Sequence, residues 1–162
     1  MFNTRASGVL MHLTSIPSRY GVGVMGDETK RFIDKIKGMG FSYWQVLPLN
    51  PPDFHGSPYT SDAAFAISHM FVSPDELVKD GLVSAEDIER SVYYGSPYTA
   101  DYEFAYSARL ELLRKAYSNA GEAIKAKAEK FADENEWCKS YSLFMAAKEK
   151  FDNKPWYEWG ED

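Results

Sequence analysis

The run Tyr43-Trp44-Gln45-Val46-Leu47, followed at once by Pro48 and then by Pro51, Pro52, Gly56 and Pro58, constrains this chain more than any other feature. Tyr43, Trp44, Val46 and Leu47 are strand formers without a helical period, and the prolines and glycine after them forbid regular structure. The segment therefore reads as a buried strand that stops abruptly and opens into a loop over residues 48–69. A connection of that length in a compact domain is usually functional or disordered. Its contents favour function: aromatic Phe54 and Tyr59 stand beside Asp53, His55, Ser57, Thr60, Ser61 and Asp62. Flat faces mixed with hydrogen-bonding groups suit a polyhydroxylated ligand.

Upstream, residues 8–12 form a short apolar strand, and a loop then runs to Gly26. Phe32, Ile33, Ile36 and Met39 next fall on one face of a helix, with Gly40 at its C′ position. Strand, helix, strand implies a parallel crossover, the unit of either a barrel or a doubly wound sheet, and spacing alone leaves both open. After Val72 no comparable strand pattern occurs. Ser73-Pro74-Asp75-Glu76 reads as a capping box with proline at the first helical position, and Ser84-Ala85-Glu86-Asp87 as a second helix start. Tyr102, Tyr106, Leu110, Leu113 and Tyr117 trace one helical stripe and Trp137, Tyr141, Phe144, Met145 and Lys148 another, with Asn119-Ala120-Gly121 the expected break between helices. The loops 13–26 and 48–68 are the expected points of protease attack.

Composition narrows the class. A hydrophobic content of 44% supports a packed core, and 26% charged residues argue against both a membrane protein and a disordered tail. A formal charge of -6 without a Lys/Arg-rich run argues against nucleic acid as a partner, and no membrane partner is expected either. The single cysteine, Cys138, cannot form an internal disulfide, and residues 1–17 lack the apolar core of a secretory signal. A cytoplasmic location is expected. His12, His55, His69 and Cys138 are too scattered for a metal site, so no metal and no cofactor are expected. Gly21-Val22-Gly23-Val24-Met25-Gly26 has the G-x-G-x-x-G form, but a loop separates it from its strand, which argues against a dinucleotide site. Asp27 and Glu28 suit the first turn of a helix.

The stretch VLPLNPPDFHGSPYTS resembles the strand-and-loop signature of the 4-alpha-glucanotransferases (amylomaltases, glycoside hydrolase family 77), whose usual form is close to VLPLGPTGYGDSPYQS. Residues 5–23 are similar to the family's opening, with its H-x-T-S-L-P turn and Y-G-I-G loop, and residues 141–149 and 155–159 match two later landmarks in order. Separated matches in order are far more specific than one short pattern. The resemblance selects the barrel: an α/β fold comprising the N-terminal part of a (β/α)8 TIM barrel, about two parallel strands, with a mostly helical inserted subdomain. Residues 1–72 are then the first βαβ portion, carrying the active-site loop 48–69, and residues 73–162 the helical insertion. Because a complete barrel needs about 250 residues, the chain reads as an N-terminal portion of the enzyme.

The implied reaction is transfer of α-1,4-glucan segments between maltooligosaccharides by a retaining mechanism, which needs a nucleophilic carboxylate and a second carboxyl alternating between acid and base. The resemblance puts those groups on later barrel strands, so this chain carries none of them and is expected to be inactive alone. Asp53 and Asp62 match no catalytic motif. Partners are maltooligosaccharides, α-1,4-glucans and the remaining barrel segment. A non-catalytic glucan-binding or inactive remnant, and an α-glucan hydrolase, are the alternatives. Tyr59 either packs over the turn begun by Ser57-Pro58 or, as the resemblance implies, covers the donor sugar; Ser57 either bonds the turn or the sugar. Phe54 takes the place of a family aromatic at a second glucan surface and lacks its hydroxyl. His12, at the end of the first strand, has an active-site supporting or a structural hydrogen-bonding role. His55 and His69 replace a glycine and an asparagine of the family pattern and inherit no role.

Overall fold

The computed structural model describes residues 5–53, 56–96 and 98–160. Two strands, β1 (Gly8–Leu10) and β2 (Tyr43–Gln45), pair in parallel with Val9 opposite Trp44, and α1 (Asp27–Gly38) connects them. Gly8 is required by its neighbour: a Cβ there would lie 2.7 Å from the Tyr43 carbonyl oxygen. Both strands are shorter than the apolar runs suggest. The ladder ends once Met11 N–H has donated to the Gln45 carbonyl at 3.1 Å, and residues 46–49 continue without a partner strand. The expectation of a buried strand fails in this chain, since Tyr43 is 51% and Leu10 59% exposed. A two-stranded sheet buries its edges and faces only where other elements cover them.

Helix α1 begins with Asp27 and Glu28 in its first turn and ends in a Schellman motif. Gly40, at φ +87°, donates to Lys37, and Phe41 donates to Ile36 at 3.1 Å. Its apolar stripe divides: Ile36 is buried and Phe32 packs edge-on against Trp44 at 5.2 Å, whereas Ile33 and Met39 face outward.

The loop after β1 departs most from expectation. Leu13, Ile16, Tyr20, Val22 and Val24 are all buried, so residues 13–24 contribute to the core, while Ser15, Pro17 and Arg19 stay at the surface. The glycines explain how. A Cβ on Gly23 would stand 2.0 Å from the Leu13 carbonyl oxygen, and one on Gly26 would stand 2.7 Å from Ser73 Oγ. Bare backbone at these points lets the loop fold back on itself and lets α1 start against the next turn. In this context the glycine pattern serves packing.

A 3-10 turn at His69–Phe71 joins this core to the helices that follow. Phe71 packs with Leu13 and Ile16, while Met70 packs with Val22 and Ala105. Then come α2 (Pro74–Lys79), α3 (Ala85–Ile88) and α4 (Tyr102–Asn119), whose shared core is Leu77, Val83, Ile88, Leu112 and Ala116. At α3 the capping box is complete, Ser84 and Asp87 each bonding the other's backbone. At α2 only half of it forms: Ser73 Oγ accepts from Glu76 N–H, but the Glu76 carboxylate turns to Lys30 at 3.1 Å and Lys79 at 3.0 Å. Asp27 also takes both lysines, so charge pairing across α1 and α2 outcompetes the reciprocal cap. The buried face of α4 is Ala105, Arg109, Leu112 and Ala116. Tyr102, Tyr106 and Leu113 flank that face half-buried, and Tyr117 is exposed.

These elements make one compact unit, Met1–Ala120, and Gly121–Asp162 forms another. The second contains α5 (Glu122–Glu134) and α6 (Glu136–Lys150), neither with a buried residue. Aromatic contacts organise it: Phe131 meets Trp137 at 6.3 Å, and Phe151 stacks on Trp159 at 5.5 Å and 10°. No strand follows β2 among the described residues.

Candidate active-site loop

Residues 46–53 and 56–68 lack regular structure, yet the loop is closed at its neck and braced inside. Ser68 N–H donates to the Leu49 carbonyl at 2.9 Å, bringing its ends together. The Asn50 side-chain amide donates to the Ala63 carbonyl, and Ser61 Oγ also donates to that oxygen at 3.0 Å. At the near end Asp53 builds a tight turn: its carbonyl accepts from Gly56 N–H and its Oδ1 from Ser57 N–H, each at 2.9 Å. Backbone groups that prolines leave without a ladder are thus paired locally, as an Ω-loop requires.

The turn presents Ser57 and Tyr59 together. Ser57 Oγ accepts from the Thr60 hydroxyl at 2.9 Å and from Tyr59 N–H at 3.4 Å, which leaves its own hydrogen without an acceptor among the described residues. Tyr59 is 73% exposed, offering its ring and hydroxyl to solvent. Asp53 has backbone partners, which accounts for its place in the turn. Phe54 and His55 lie outside the described residues.

His12 sits under this loop, buried, two residues beyond the last paired residue of β1, Leu10. Its Nε2 is 3.2 Å from the Pro48 carbonyl oxygen and its Nδ1 2.7 Å from Thr14 Oγ1. A carbonyl only accepts, so in the neutral ring the hydrogen belongs on Nε2 and Thr14 donates to Nδ1. Phe71 packs edge-on to the imidazole at 5.8 Å. His12 consequently ties the end of the first strand to the first residue of the loop. His69 serves packing: its ring meets Tyr106 edge-on at 4.6 Å, Nε2 donates to the Tyr106 carbonyl at 3.3 Å, and burial holds its pKa below the ordinary imidazole value.

Sequence reasoning missed two residues behind the loop. Tyr102 opens α4 and sends its hydroxyl to Thr14 Oγ1, 3.0 Å away. Arg109 is fully buried, with its guanidinium 5.2 Å from the Tyr20 ring and Nε donating to the Met70 carbonyl at 3.4 Å. Burial brings the Arg109 pKa down to about 10, still charged near neutrality. Tyr102 reads in the sequence only as a member of a helical stripe and Arg109 carries no reading at all, because neither residue type nor spacing marks a long-range partner. Among the described residues no group of His, Cys, Asp and Glu is placed to hold a metal ion, and no helix is long and apolar enough to cross a membrane.

Residues 11–162 match the family model described as 4-alpha-glucanotransferase. Among curated relatives, the 4-alpha-glucanotransferase of Aquifex aeolicus is 39% identical over 98% of this chain and 32% of its own length. That of Streptococcus pneumoniae is 41% identical over 96% of this chain and 31% of its own. A solved amylomaltase from Streptococcus agalactiae in complex with acarbose superposes with a TM-score of 0.91 at 35% identity, covering 98% of this chain and 32% of that one. The chain thus spans about a third of the length of these relatives, and its two parallel strands with predominant helix are part of an amylomaltase barrel. On the family match over nearly its whole length, this chain belongs to the 4-alpha-glucanotransferases of glycoside hydrolase family 77.

Proposed function

We propose that the protein carrying this chain transfers α-1,4-glucan segments from one maltooligosaccharide to the 4-hydroxyl of another by a retaining mechanism, without a cofactor. The observation that carries this reading is the Ser57-Pro58-Tyr59 turn, with Tyr59 exposed, beyond the C-terminal end of β2, the face on which barrel enzymes place their chemistry. Tyr59 covers the donor sugar with its ring, and Ser57 donates its remaining hydroxyl hydrogen to the sugar. Phe54 contributes to a second glucan surface by stacking, and His12 holds the loop's first carbonyl as active-site support. The nucleophile and the acid/base lie on barrel strands outside this chain, so residues 1–72 form the first βαβ portion, residues 73–162 the helical insertion, and the chain alone is inactive. Further barrel elements cover the exposed faces of β1 and β2 and the open groove of about 330 Å³ lined by Leu13, Met25, Trp44, Val46 and Leu49. A polar, acidic chain acting on a neutral glucan suits the cytoplasm.

Transfer prevails over hydrolysis when an acceptor sugar is positioned better than water. The full-length protein given maltotriose should release glucose and longer maltooligosaccharides. Tyr59→Ala should lower kcat/KM by about 10- to 100-fold, the equivalent of ~1–3 kcal/mol of transition-state contact. Purely hydrolytic products at high acceptor concentration would reassign the protein as an α-glucan hydrolase, and unchanged efficiency in the variant would reduce Tyr59 to a turn-packing residue.

A further inference from the structure

We propose that Tyr102 is a positioning residue for the 48–68 loop, clamping its near turn to the segment after β1; this role in glucan binding rests on reading that loop as the donor-sugar loop. Two independent contacts converge on one side chain. The ring lies directly over Gly56, so closely that a Cβ there would stand 2.4 Å from a ring carbon, and Gly56 itself has φ +80°, a conformation that favours glycine. At the end of the same ring, the hydroxyl is 3.0 Å from Thr14 Oγ1. Gly56 lies in the loop after β2 and Thr14 in the loop after β1, so a residue on α4 joins the two.

The hydrogen bonds have a fixed direction in the neutral state. The Pro48 carbonyl, 3.2 Å from His12 Nε2, requires the hydrogen on Nε2, which leaves Nδ1 as an acceptor for the Thr14 hydroxyl at 2.7 Å. Thr14 has then used its only hydrogen and accepts from Tyr102. The series Tyr102 to Thr14 to His12 to Pro48 begins on α4 and ends on the first residue of the loop. The ring of Tyr102 meets the loop again at Gly56, eight residues further on. Hydroxyl and ring together grip both ends of the 48–56 segment, and that segment leads straight into Ser57 and Tyr59. His12 and Thr14 at the middle of the series are buried and Tyr102 is half-buried, and a series in which every donor has one acceptor fixes a single geometry more firmly than separate pairs.

Tyr102→Phe keeps the ring over Gly56 and removes only the hydroxyl. The amides of Gly56 and Ser57, which donate to Asp53, should then exchange about fivefold faster, the factor set by one hydrogen bond of ~1 kcal/mol. The capping amide of Asp87, bonded to Ser84, should be unchanged. Long-range 1H–15N spectra at alkaline pH should show His12 as the Nε2–H tautomer, with Nδ1 displaced by its hydrogen bond. Thr14→Val should move Nδ1 to its unbonded position, and Thr14→Ser should retain the wild-type signal. In the full-length protein, Tyr102→Phe should raise KM for maltotriose about fivefold with kcat within about twofold. Unchanged exchange at Gly56 and Ser57 in Tyr102→Phe, an Nδ1–H tautomer in the wild type, or Thr14→Ser behaving as Thr14→Val would each overturn the proposal. If the wild-type protein shows no glucan transfer while spectra and exchange behave as expected, the clamp stands and the transferase reading falls.

Discussion

Replacing Arg109 separates charge from volume in the core behind the loop. The side chain is 0% exposed, and its Nη1 finds no hydrogen-bonding partner among the described residues. Taking a guanidinium out of water costs on the order of several kcal/mol, and burial lowers its pKa from 12.5 to about 10. Two contacts oppose that penalty. The 3.4 Å bond to the Met70 carbonyl is long for a hydrogen bond and is worth ~1 kcal/mol, and the guanidinium over Tyr20 at 5.2 Å adds ~2 kcal/mol when desolvated. Charge therefore nearly cancels, and the aliphatic stem and its volume are what stabilise. Arg109→Met, which keeps most of that volume without the charge, should change stability by no more than about 1 kcal/mol in either direction. Arg109→Ala leaves a cavity and should cost ~2–4 kcal/mol. Hydrogen exchange of α4 amides across a urea series reads this unit separately from residues 121–162. With a slope of ~1–3 kcal/mol per molar urea, the alanine midpoint should fall by about 1–2 M and the methionine midpoint should hardly move. An equal loss in both variants would show that the cation's contacts outweigh its desolvation and would refute this accounting.

His69 gives a pH dependence with a definite sign. Burial depresses its folded-state pKa, so the unfolded chain binds more protons and the stabilising contribution is complete above the ordinary imidazole pKa of about 6.5 and lost as pH falls through the lower folded value. Chemical denaturation should show stability declining below about pH 6.5, and His69→Asn should flatten that decline; an unaltered slope would assign it to other groups. Gly23→Ala forces a Cβ to within 2.0 Å of the Leu13 carbonyl oxygen and 2.8 Å of that of Ile16. Such overpacking against backbone should cost ~3 kcal/mol or more, visible as a lowered Tm, and a variant as stable as the wild type would show that the loop readjusts.

Features written in the backbone chemistry were legible in the sequence. Pro48, Pro51, Pro52 and Pro58 end the second strand and keep the described residues after it, 46–53 and 56–68, free of ladders, Gly40 closes α1 in the left-handed conformation, and Ser84 with Asp87 forms the reciprocal cap. Features set by what lies opposite were not. The polar surroundings and glycines of residues 13–26 suggest an open loop, whereas Tyr20, Val22 and Val24 alternate with glycines because the two sides of that segment meet different neighbours. On α4 the tyrosines attract attention as core, but the buried positions include Ala105 and Ala116, whose small side chains carry little hydrophobic signal. Arg109 is of a type rarely buried. Among the proposed site residues, the Ser57-Pro58-Tyr59 turn could be located from its motif, while the hydroxyl of Tyr102 became meaningful only once Thr14 stood beside it.

The placement of buried residues explains why the loop geometry depends on helices far away in sequence. The sheet contributes little, since Leu10 and Tyr43 are exposed; the dense packing lies beyond the ends of the strands. There the His69–Phe71 turn is held from two sides, with Phe71 against Leu13, Ile16 and the His12 ring, and Met70 against Val22 and Ala105. Its backbone is held as well, by Arg109 at the Met70 carbonyl and by Met25 N–H, which donates to the Phe71 carbonyl at 2.8 Å. That turn begins directly after Ser68, whose N–H closes the neck of the loop on Leu49. A displacement of α4 therefore reaches residues 48–68 by two routes, through Tyr102 at the near turn and through the 69–71 turn at the far neck. The helices of this unit thus act as the wall that gives the loop its shape, while the two strands set where it starts.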